Sequence, residues 1–337
     1  MAKIGIIGAG SWGTALAVLL HKNGHEITVW SIVEAEIAML QEKHEHAEKL
    51  PGVKLPDDMI FTTDLKSAVD KKDVLVLAVP SPYTRSTSKM LKDVVAEGQI
   101  IVNVAKGIED HSLMTLSEIV EEEVPKATVA VLSGPSHAEE VGRGIPTTIV
   151  VGAKKKATAE YLQNLFMNDV FRVYTSSDVL GMELGGALKN VVALAAGIAD
   201  GLGYGDNTKA ALITRGITEI ARLGTAMGAK FETFCGLTGI GDLIVTCASM
   251  HSRNRRAGIL IGQGKTMEEA MAEVKMVVEG VYSAKAAMGL AEKYNVQLPI
   301  IEQVNQVLFD GKTAAEAVKD LMLRDKKIEI SDAGWEE

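Results

Sequence analysis

The chain has 337 residues, of which 47% are hydrophobic and 8 are proline. This length predicts about two domains, and the composition predicts a globular protein with a large buried core. The formal net charge is −9 at pH 7. A protein that binds a nucleic-acid backbone needs a basic surface, so we expect no nucleic-acid partner.

The cysteines and the apolar segments predict a cytoplasmic protein. Cys235 and Cys247 are too few for a disulfide framework, which favours a reducing compartment. The N-terminal segment has a strand pattern and no targeting signal. The apolar stretch Ala187–Ala199 contains Lys189 and Asn190 and is too short to span a bilayer, so we expect a buried helix and no membrane insertion.

The first predicted element is a strand that ends at Ile7, and a glycine-rich turn and an apolar helix pattern follow it. Gly8 permits a tight turn, Gly10 lets the backbone approach a pyrophosphate, and Gly13 lets the helix pack closely on the strand. Unpaired N–H groups at the start of the helix then bind the diphosphate. The pattern predicts a dinucleotide cofactor, and a tight turn without a ligand is the alternative.

Residues 1–177 alternate between strand and helix patterns and predict an α/β fold with a doubly wound, Rossmann-type, mostly parallel sheet. The predicted strands are Ile4–Ile7, Ile27–Trp30, Val74–Val79, Ile100–Val104, Val129–Leu132, Thr148–Val151 and Phe171–Tyr174. The predicted helices between them are Glu34–His46, Tyr83–Val95 and Leu113–Glu123.

Residues 178–337 are predicted to form an all-helical domain that ends in a polar tail, Ile330–Glu337. The predicted helices are Val179–Ala199, Lys209–Met227, Met267–Val274, Ser283–Tyr294, Ile300–Leu308 and Thr313–Met322. A dinucleotide domain followed by a helical domain places the substrate in the cleft between them.

The residues after the predicted strand Ile27–Trp30 bear on the choice of cofactor. An acidic residue there favours NAD and an arginine favours NADP, but this chain has Ser31, Ile32, Val33 and Glu34. Ser31 can serve either cofactor, and we interpret Glu34 as a solvated helix residue. The choice between NAD(H) and NADP(H) stays open.

Polar residues also follow three later strands, at the edge where open α/β sheets bind ligands. Ser81 follows the first of them. Lys106 follows the second, where its amine either reaches into the cleft or lies on the surface. The third is followed by Ser133–Ala138, whose small residues and free N–H groups suit an anionic substrate or the nicotinamide. We interpret His137 in this segment as a hydrogen-bonded structural residue.

Lys189 interrupts a helix pattern of small and apolar residues that includes Gly185 and Gly186. Burial without a partner lowers the pKa of a lysine until it is neutral, and a neutral lysine is a competent general base for an alcohol. The alternative is a side chain that extends from the helix edge to solvent. Asp242 ends a glycine-rich turn and can accept a hydrogen bond from Lys189 or substrate, or cap a helix.

Ser252–Arg256 is a compact cationic cluster in an acidic protein. Arg253 or a neighbour can hold a phosphate by two hydrogen bonds, supported by Asn254 and backbone N–H groups. The alternative is charge on a helix surface. Lys43–His46 resembles a ligand cluster, but residues two apart on a helix point to different faces, so we predict a solvated helix end and no metal site.

Taken together, these motifs resemble bacterial-type NAD(P)-dependent glycerol-3-phosphate dehydrogenase. They follow the family's order and spacing over essentially the whole chain, at Gly8–Gly13, Ala105–Glu109, Ser133–Ser136, Ala187–Val191, Leu237–Leu243 and Ser252–Asn254. The glycine motif is generic, whereas the last three motifs are specific. The resemblance implies hydride transfer between the nicotinamide of NAD(H) or NADP(H) and C2 of sn-glycerol 3-phosphate, which interconverts this substrate with dihydroxyacetone phosphate.

The resemblance also implies roles for single residues. Lys189 accepts the proton when the alcohol is oxidised and donates it when the ketone is reduced, while Lys106 and Asp242 orient and polarise the C2 oxygen. The implied substrate contacts are Lys106, Gly134, Ser136, Lys189, Asp242, Ser252, Arg253 and Asn254, with Arg253 nearest the phosphate. With the glycine turn and Ser31 included, the expected cofactor contacts are Gly8, Gly10, Ser11, Trp12, Gly13, Ser31, Lys106, Ala138, Arg253, Val277 and Glu279.

The chain departs from the family pattern at one place. Family members usually carry a basic residue or a histidine where this chain has Ile32 and Val33, which weakens the expectation of a strong NADPH preference. The resemblance further implies a homodimer that supplies glycerol 3-phosphate for phospholipid synthesis. The alternatives are another two-domain reductase, of 3-hydroxyacid or ketopantoate type, and an NAD(H)-sensing regulator without turnover.

Overall fold

The structure is a computed structural model that describes residues 1–326, 328 and 329, so the polar tail expected at Ile330–Glu337 lies outside the described residues. The strands of the first half are β1 (Lys3–Ile7), β2 (Glu26–Trp30), β3 (Ile60–Thr62), β4 (Val74–Leu77), β5 (Ile100–Asn103), β6 (Thr128–Ser133), β7 (Thr147–Ala153) and β8 (Phe171–Ser176). The helices between them are α1 (Ser11–Lys22), α2 (Glu34–Lys43), α3 (Leu65–Val69), α4 (Thr84–Leu91), α5 (Leu116–Glu123), α6 (Ala138–Gly142) and α7 (Lys156–Phe166).

These strands form one sheet in the order β3-β2-β1-β4-β5-β6-β7-β8. Neighbouring strands pair in parallel except β6 and β7, which pair antiparallel. The predicted doubly wound, mostly parallel sheet is therefore confirmed. The strand order reverses between β1 and β4, and ligands of such sheets bind in the crevice at that point.

Both faces of the sheet are covered, which explains the nearly continuous apolar strands. Ile6 of β1 packs in one buried cluster with Leu16 of α1. The next residue, Ile7, points to the opposite face and packs with Leu91 of α4 and Val120 of α5. Side chains alternate along a strand, so each strand contributes apolar residues to both layers.

Several elements escaped prediction, among them the short β3, α3 and α6 and the 11-residue α7. β3 has only three residues and lies at the edge of the sheet, where Ile60 is exposed. The strand predicted at Val74–Val79 ends at Leu77. The helix predicted at Glu34–His46 ends at Lys43, because His44 takes a left-handed backbone conformation with φ 46°.

The prediction of a solvated helix end at Lys43–His46 is wrong for His46. This side chain is fully buried, and its Nε2 lies 3.0 Å from Oε1 of Glu36. The left-handed residue at His44 turns the chain back towards α2, so His46 packs beneath the helix instead of extending it. Among the described residues there is no group of three or more His, Cys, Asp or Glu side chains that could hold a metal ion.

The second half is helical, as predicted. Its helices are α8 (Val179–Gly201), α9 (Asp206–Ala226), α10 (Phe231–Phe234), α11 (Asp242–Ala248), α12 (Arg253–Gly262), α13 (Met267–Val274), α14 (Glu279–Lys293), α15 (Pro299–Phe309) and α16 (Ala314–Met322). A π-helical turn, Leu237–Gly241, leads into α11. The residues of α8 from Gly181 to Ala199 are all buried. The helices that pack against it are α9, α10, α11, α12, α14 and α15.

The stretch predicted as a short buried helix is part of α8, which is 23 residues long. In the described part of the chain, α8 and the stretch Phe231–Ala248 are long and apolar enough to cross a membrane by length and composition alone. The prediction that this stretch is too short to span a bilayer is therefore wrong. The expectation of a buried helix rests instead on how much of α8 is buried. In α8, 83% of the apolar window is buried inside the protein, as in the core helix of a globular domain.

Glycines bring α8 and α12 into backbone contact. A Cβ atom on Gly197 would lie 2.1 Å from the Arg255 carbonyl oxygen, and one on Gly258 would lie 2.3 Å from the Leu194 carbonyl oxygen. Any larger residue at either position would push the helices apart. This close crossing fixes the start of α12, which carries Arg253, beside the middle of α8.

Candidate active site

The glycine turn after β1 has the shape that a diphosphate requires. Gly8 has φ 115°, and a Cβ atom on Gly13 would lie 2.1 Å from the Gly8 carbonyl oxygen. Gly10 is the N-cap residue of α1 and, without a side chain, makes no side-chain capping hydrogen bond. A Cβ atom on Gly10 would meet no described atom within 4 Å. Open space therefore lies where an anion can approach the first N–H groups of α1, which include those of Ser11 and Trp12.

A carboxylate bridges two lysines in the cleft between the sheet and the helices. Asp242 is the first residue of α11, and its Oδ1 lies 2.7 Å from Nζ of Lys189 on α8. Its Oδ2 lies 2.6 Å from Nζ of Lys106, which follows β5. Side-chain exposure is 7% for Lys189, 2% for Asp242 and 17% for Lys106. Both lysines therefore point into the cleft, and neither extends to the surface.

Burial sets the protonation of this group. Desolvation lowers the pKa of Lys189 to about 8, with Asp242 acting against the shift and Lys106 adding to it. Burial alone would raise the pKa of Asp242, but the charges and hydrogen bonds of Lys106 and Lys189 outweigh it and hold that pKa below its ordinary value. The aspartate is ionised at neutral pH, and the amine of Lys189 can take or give a proton near that pH.

Thr246 completes the setting of Lys189, and sequence reasoning missed it. Its Oγ1 accepts a hydrogen bond from Nζ of Lys189 at 2.6 Å and donates one to the Asp242 carbonyl oxygen at 2.6 Å. Asp242 and Thr246 are four residues apart on α11, so they share one face of the helix. This four-residue spacing is the feature of the sequence that could have identified Thr246.

The segment after β6 holds Lys106 in place. Nζ of Lys106 donates to the Gly134 carbonyl oxygen at 3.0 Å, and the Ser136 hydroxyl donates to the same oxygen at 2.9 Å. Gly134 has φ 145°, a backbone conformation that favours glycine. Gly186 on α8 lies against this segment, because a Cβ atom there would lie 3.0 Å from Ser133 Oγ and in ordinary contact, at 3.4 Å, with Lys106 Cγ.

The cationic cluster contains structural residues and two arginines, Arg253 and Arg256, for which the described residues provide no side-chain hydrogen bond; Nε of Arg256 is also buried. The Ser252 hydroxyl caps α12 by accepting the Arg255 N–H at 3.2 Å. The Arg255 guanidinium donates to Asp200 at 2.8 Å and thereby links α12 to α8. Arg253 makes no ion pair or side-chain hydrogen bond within the described part of the chain, and burial lowers its pKa. Its guanidinium is available for a ligand.

Asn254 connects three helices behind this arginine. Its Nδ2 donates to Oδ1 of Asn190 on α8 at 3.0 Å, and its Oδ1 accepts the Gly280 N–H of α14 at 2.8 Å. Asn254 is 7% exposed. The amide therefore fixes the start of α12 relative to its neighbours.

The remaining expected cofactor contacts lie around the same crevice. Glu279 begins α14 and accepts hydrogen bonds from the backbone N–H of Ser81, at 3.1 Å, and from its hydroxyl. Burial raises the pKa of Glu279. Val277 lies half-buried in the loop before α14, and Ala138 is the first residue of α6.

Two residues differ from the expectations in detail. Ser31 is 5% exposed, and its hydroxyl already donates to Glu36 at 2.5 Å. His137 Nε2 is buried and has no hydrogen-bond partner among the described residues, so the expected structural hydrogen bond is not made by this nitrogen. Burial, assisted by the charge of Lys189, lowers the pKa of His137.

A cavity of about 490 Å³ lies elsewhere, between α8, α9, α15 and α16. Ile198, Leu212, Val304 and Leu321 contribute to its apolar wall. It contains none of the expected site residues. The ionisable groups of the candidate site, Lys106, Lys189 and Asp242, lie instead at the carboxyl edge of the sheet.

Comparisons with known proteins agree with this geometry. Residues 3–159 match the family model described as NAD-dependent glycerol-3-phosphate dehydrogenase N-terminus, and residues 178–319 match the model of the C-terminus. The chain is 69% identical to a glycerol-3-phosphate dehydrogenase [NAD(P)+] of Agathobacter rectalis, over 99% of this chain and 100% of the relative. It is 66% identical to the protein of that name from Fusobacterium nucleatum, over 98% and 99% of the two chains.

A solved structure shows the same architecture. The crystal structure of glycerol-3-phosphate dehydrogenase from Coxiella burnetii matches with a TM-score of 0.93 and 35% identity, over 96% of this chain and 99% of that chain. The resemblance drawn from the motifs is thereby confirmed. The chain belongs to the NAD-dependent glycerol-3-phosphate dehydrogenase family.

Proposed function

We propose that this protein interconverts sn-glycerol 3-phosphate and dihydroxyacetone phosphate with NAD(H) or NADP(H), and that Lys189 exchanges the proton with the C2 oxygen. The observation that supports this most directly is the buried Lys189 amine, held by Asp242 in the cleft. The nicotinamide, when bound, supplies or accepts the hydride at C2. In this proposal residues 1–177 hold the cofactor, and residues 178–337 contribute Lys189, Asp242 and the phosphate site.

Hydrogen-bond counting supports the role of Lys189. An ammonium has three N–H donors. Asp242 accepts one of them and Thr246 accepts another. The third donor is free to meet the C2 oxygen of the ketone. The same count applies to Lys106, because Gly134 and Asp242 accept two of its three donors.

The direction of the reaction sets the protonation state. In reduction, charged Lys189 gives a proton from Nζ to the C2 oxygen and becomes neutral beside ionised Asp242. In oxidation, neutral Lys189 takes the proton of the C2 hydroxyl. A pKa of about 8 makes both states accessible near neutral pH. Lys106 remains to orient and polarise the oxygen.

A phosphate site at the start of α12 supports the choice of substrate. The Arg253 guanidinium is uncommitted, and a guanidinium binds phosphate through paired hydrogen bonds. The first N–H groups of α12 add the favourable end of a ten-residue helix. We assign Ser252, Asn254, Gly134 and Ser136 to the substrate wall. The alternative reductases need a site for a carboxylate, whereas Arg253 with its neighbours and Lys106 suits a phosphate dianion better.

Cofactor contacts are proposed from the glycine turn and the residues around it. Gly8, Gly10 and Gly13 shape the turn, and the N–H groups of Ser11 and Trp12 bind the diphosphate. Further contacts around the crevice are assigned to Ser31, Lys106, Ala138, Arg253, Val277 and Glu279. The open space at Gly10 and the uncapped start of α1 support this assignment.

The resemblance also supports a cellular role and an assembly. We infer that the protein works in the cytoplasm as a homodimer and supplies glycerol 3-phosphate for phospholipid synthesis. Light scattering coupled to size-exclusion chromatography measures the mass directly. A mass of one chain, near 35.9 kDa, would contradict the dimer.

The test of the proposed function begins with dihydroxyacetone phosphate reduction, followed by the loss of reduced-nicotinamide absorbance with NADH and NADPH in parallel. The Lys189→Met variant then removes the amine and keeps the length of the side chain. We expect kcat to fall about 10²–10⁴-fold, the usual contribution of a general acid, with the cofactor Kd unchanged. The matched control is Lys154→Met, which removes an exposed lysine that pairs with Glu121 on the surface. Near-normal turnover of Lys189→Met would exclude the proton-transfer role.

A further inference from the structure

A four-residue cluster at the end of β2 bears on cofactor selectivity, which neither the motifs nor the family decide. We name Ser31, Glu36, His46 and Lys49 the Glu36 network. We propose that Glu36, acting through Ser31, makes this protein prefer the dinucleotide with a free 2′-hydroxyl over the one with a 2′-phosphate. Glu36 is a positioning residue in this proposal, because Ser31 lies between it and the cofactor.

The place of the network in the fold brings it to the adenosine ribose. β2 is the neighbour of β1, whose end opens the glycine turn. In doubly wound sheets the ribose that carries the 2′ substituent lies at the carboxyl end of this second strand. Ser31 is the residue directly after β2. The Glu36 network therefore lies directly behind the residue that meets the ribose.

Hydrogen-bond direction at Ser31 favours a hydroxyl as its ligand. The Ser31 hydroxyl donates its one proton to Oε2 of Glu36 at 2.5 Å, and its oxygen accepts the Val33 N–H at 3.2 Å. Towards a ligand, Ser31 can therefore only accept a hydrogen bond. A ribose 2′-hydroxyl can donate one, whereas a phosphate dianion has no proton to donate.

The negative charge of Glu36 also favours the dinucleotide with a free 2′-hydroxyl. Oε1 of Glu36 accepts from Nε2 of His46 at 3.0 Å and from Nζ of Lys49 at 2.5 Å. Burial opposes ionisation, but these hydrogen bonds and that from Ser31 lower the pKa of Glu36 to about 2. The carboxylate is therefore charged at neutral pH, and it repels a 2′-phosphate.

The turn beside Ser31 supplies no opposing cation. Ile32 is 69% exposed and Val33 is 52% exposed, so two apolar side chains stand where a 2′-phosphate would need a positive group. Lys49 is the cation of the network, and its amine is already paired with Glu36. Lys49 therefore moderates the repulsion, and its removal must strengthen it.

The experiment measures the Kd of NADH and of NADPH by titration calorimetry, without substrate, in the wild-type protein and three variants. We expect wild type to bind NADH more tightly. Glu36→Gln should improve NADPH binding about tenfold and change NADH binding by less than about threefold, because it removes one negative charge. Lys49→Gln should shift the ratio the opposite way. The matched control Glu42→Gln removes the same charge from an exposed position at the far end of the same helix and should leave the ratio unchanged.

The opposite signs of the two variants separate an electrostatic role from a structural one. An equal loss of both affinities in Glu36→Gln would make Glu36 a structural residue and overturn the proposal. An unchanged ratio in Glu36→Gln, a shift of the same sign in Lys49→Gln, or an equal shift in Glu42→Gln would also overturn it. The inference depends on dinucleotide binding but not on turnover. If the protein prefers NADH but does not reduce dihydroxyacetone phosphate, the result contradicts the proposed function and leaves this inference standing.

Discussion

Asp242 accepts a hydrogen bond from Lys189 on one carboxylate oxygen and from Lys106 on the other, at 2.7 and 2.6 Å. One buried carboxylate thereby joins a lysine of the loop after β5 to a lysine of the helical half. Two ammonium groups and one carboxylate leave a net positive charge in the cleft. That charge suits an anionic substrate and stabilises negative charge that develops on an oxygen. The single carboxylate also keeps Lys189 and Lys106 close despite their mutual repulsion.

The lowered pKa of Lys189 predicts opposite pH profiles for the two directions. Oxidation needs the neutral amine, so its kcat/KM should rise with pH and level off above about 8. Reduction needs the ammonium, so its kcat/KM should be level below about 8 and fall above it. Both profiles are measured from pH 7 upward, where the substrate phosphate is already a dianion. Profiles that rise together, or a turning point far from 8, would contradict the assignment.

The sequence pattern was sufficient to predict the elements whose residues follow a simple local rule. The apolar runs of β1, β4 and β5 and the glycine turn after β1 follow from local composition, because each buried strand and each tight turn restricts its own residues. The helix α8 was also predictable, although its buried length was underestimated. Lys189 stood out because a lysine within apolar small residues needs an explanation.

Features that depend on distant contacts were not predictable. Lys106 and Asp242 are 136 positions apart, and only the docking of α11 against the sheet edge joins them. α12 lacks a simple helical pattern because Gly258 and Gly262 interrupt it, and these glycines are explained only by the contact with α8. The burial of His46 depends on the left-handed turn at His44, which no periodicity announces.

Replacing Arg253 should weaken binding of the phosphate group. Arg253→Ala removes one guanidinium that no described residue pairs with, and we expect KM for dihydroxyacetone phosphate to rise by the equivalent of about 2–3 kcal/mol. Unphosphorylated dihydroxyacetone should be reduced at an unchanged, slow rate, because it does not use the site. The control is Arg172→Ala, which removes an exposed arginine of β8. An unchanged KM would place the phosphate elsewhere.

Two glycines of the same turn should respond differently to alanine. In Gly10→Ala the new methyl group meets no described atom within 4 Å, and the backbone φ of −66° is ordinary, so the Tm should change little. The methyl group points into the space for the diphosphate, so the Kd for NADH should rise about tenfold or more.

Gly13→Ala tests the packing side of the same turn. Its methyl group would lie 2.1 Å from the Gly8 carbonyl oxygen and 3.1 Å from Ala78 Cβ, so α1 must move away from β1. We expect a loss of about 1–3 kcal/mol in the free energy of unfolding. Thermal unfolding and cofactor titration of both variants check the pair. A stable Gly13→Ala with normal binding, or an unfolded Gly10→Ala, would contradict the geometry.

Glu219 predicts how the stability of the helical half depends on pH. Its carboxylate oxygens accept the Ile300 N–H at 2.9 and 3.0 Å, at the start of α15. Burial nevertheless dominates and raises the pKa of Glu219 from 4.5 to about 7. Below pH 4.5 the side chain is protonated in both the folded and the unfolded states. Between pH 4.5 and 7 the unfolded state releases the proton first, so stability falls as pH rises and is level above 7.

The pKa difference corresponds to a loss of about 3 kcal/mol across that window. Glu183 has a pKa raised to about 7 by burial and acts in the same direction, so Glu219→Gln should reduce the slope and not abolish it. Denaturant unfolding of wild type and variant at pH 5 and pH 7.5 measures the difference. The control Glu232→Gln changes an exposed glutamate of α10 and should keep the wild-type slope. A group contributes to the pH dependence of stability only if its pKa differs between the folded and unfolded states. A Glu219→Gln variant with the wild-type slope would therefore show that Glu219 does not contribute to it.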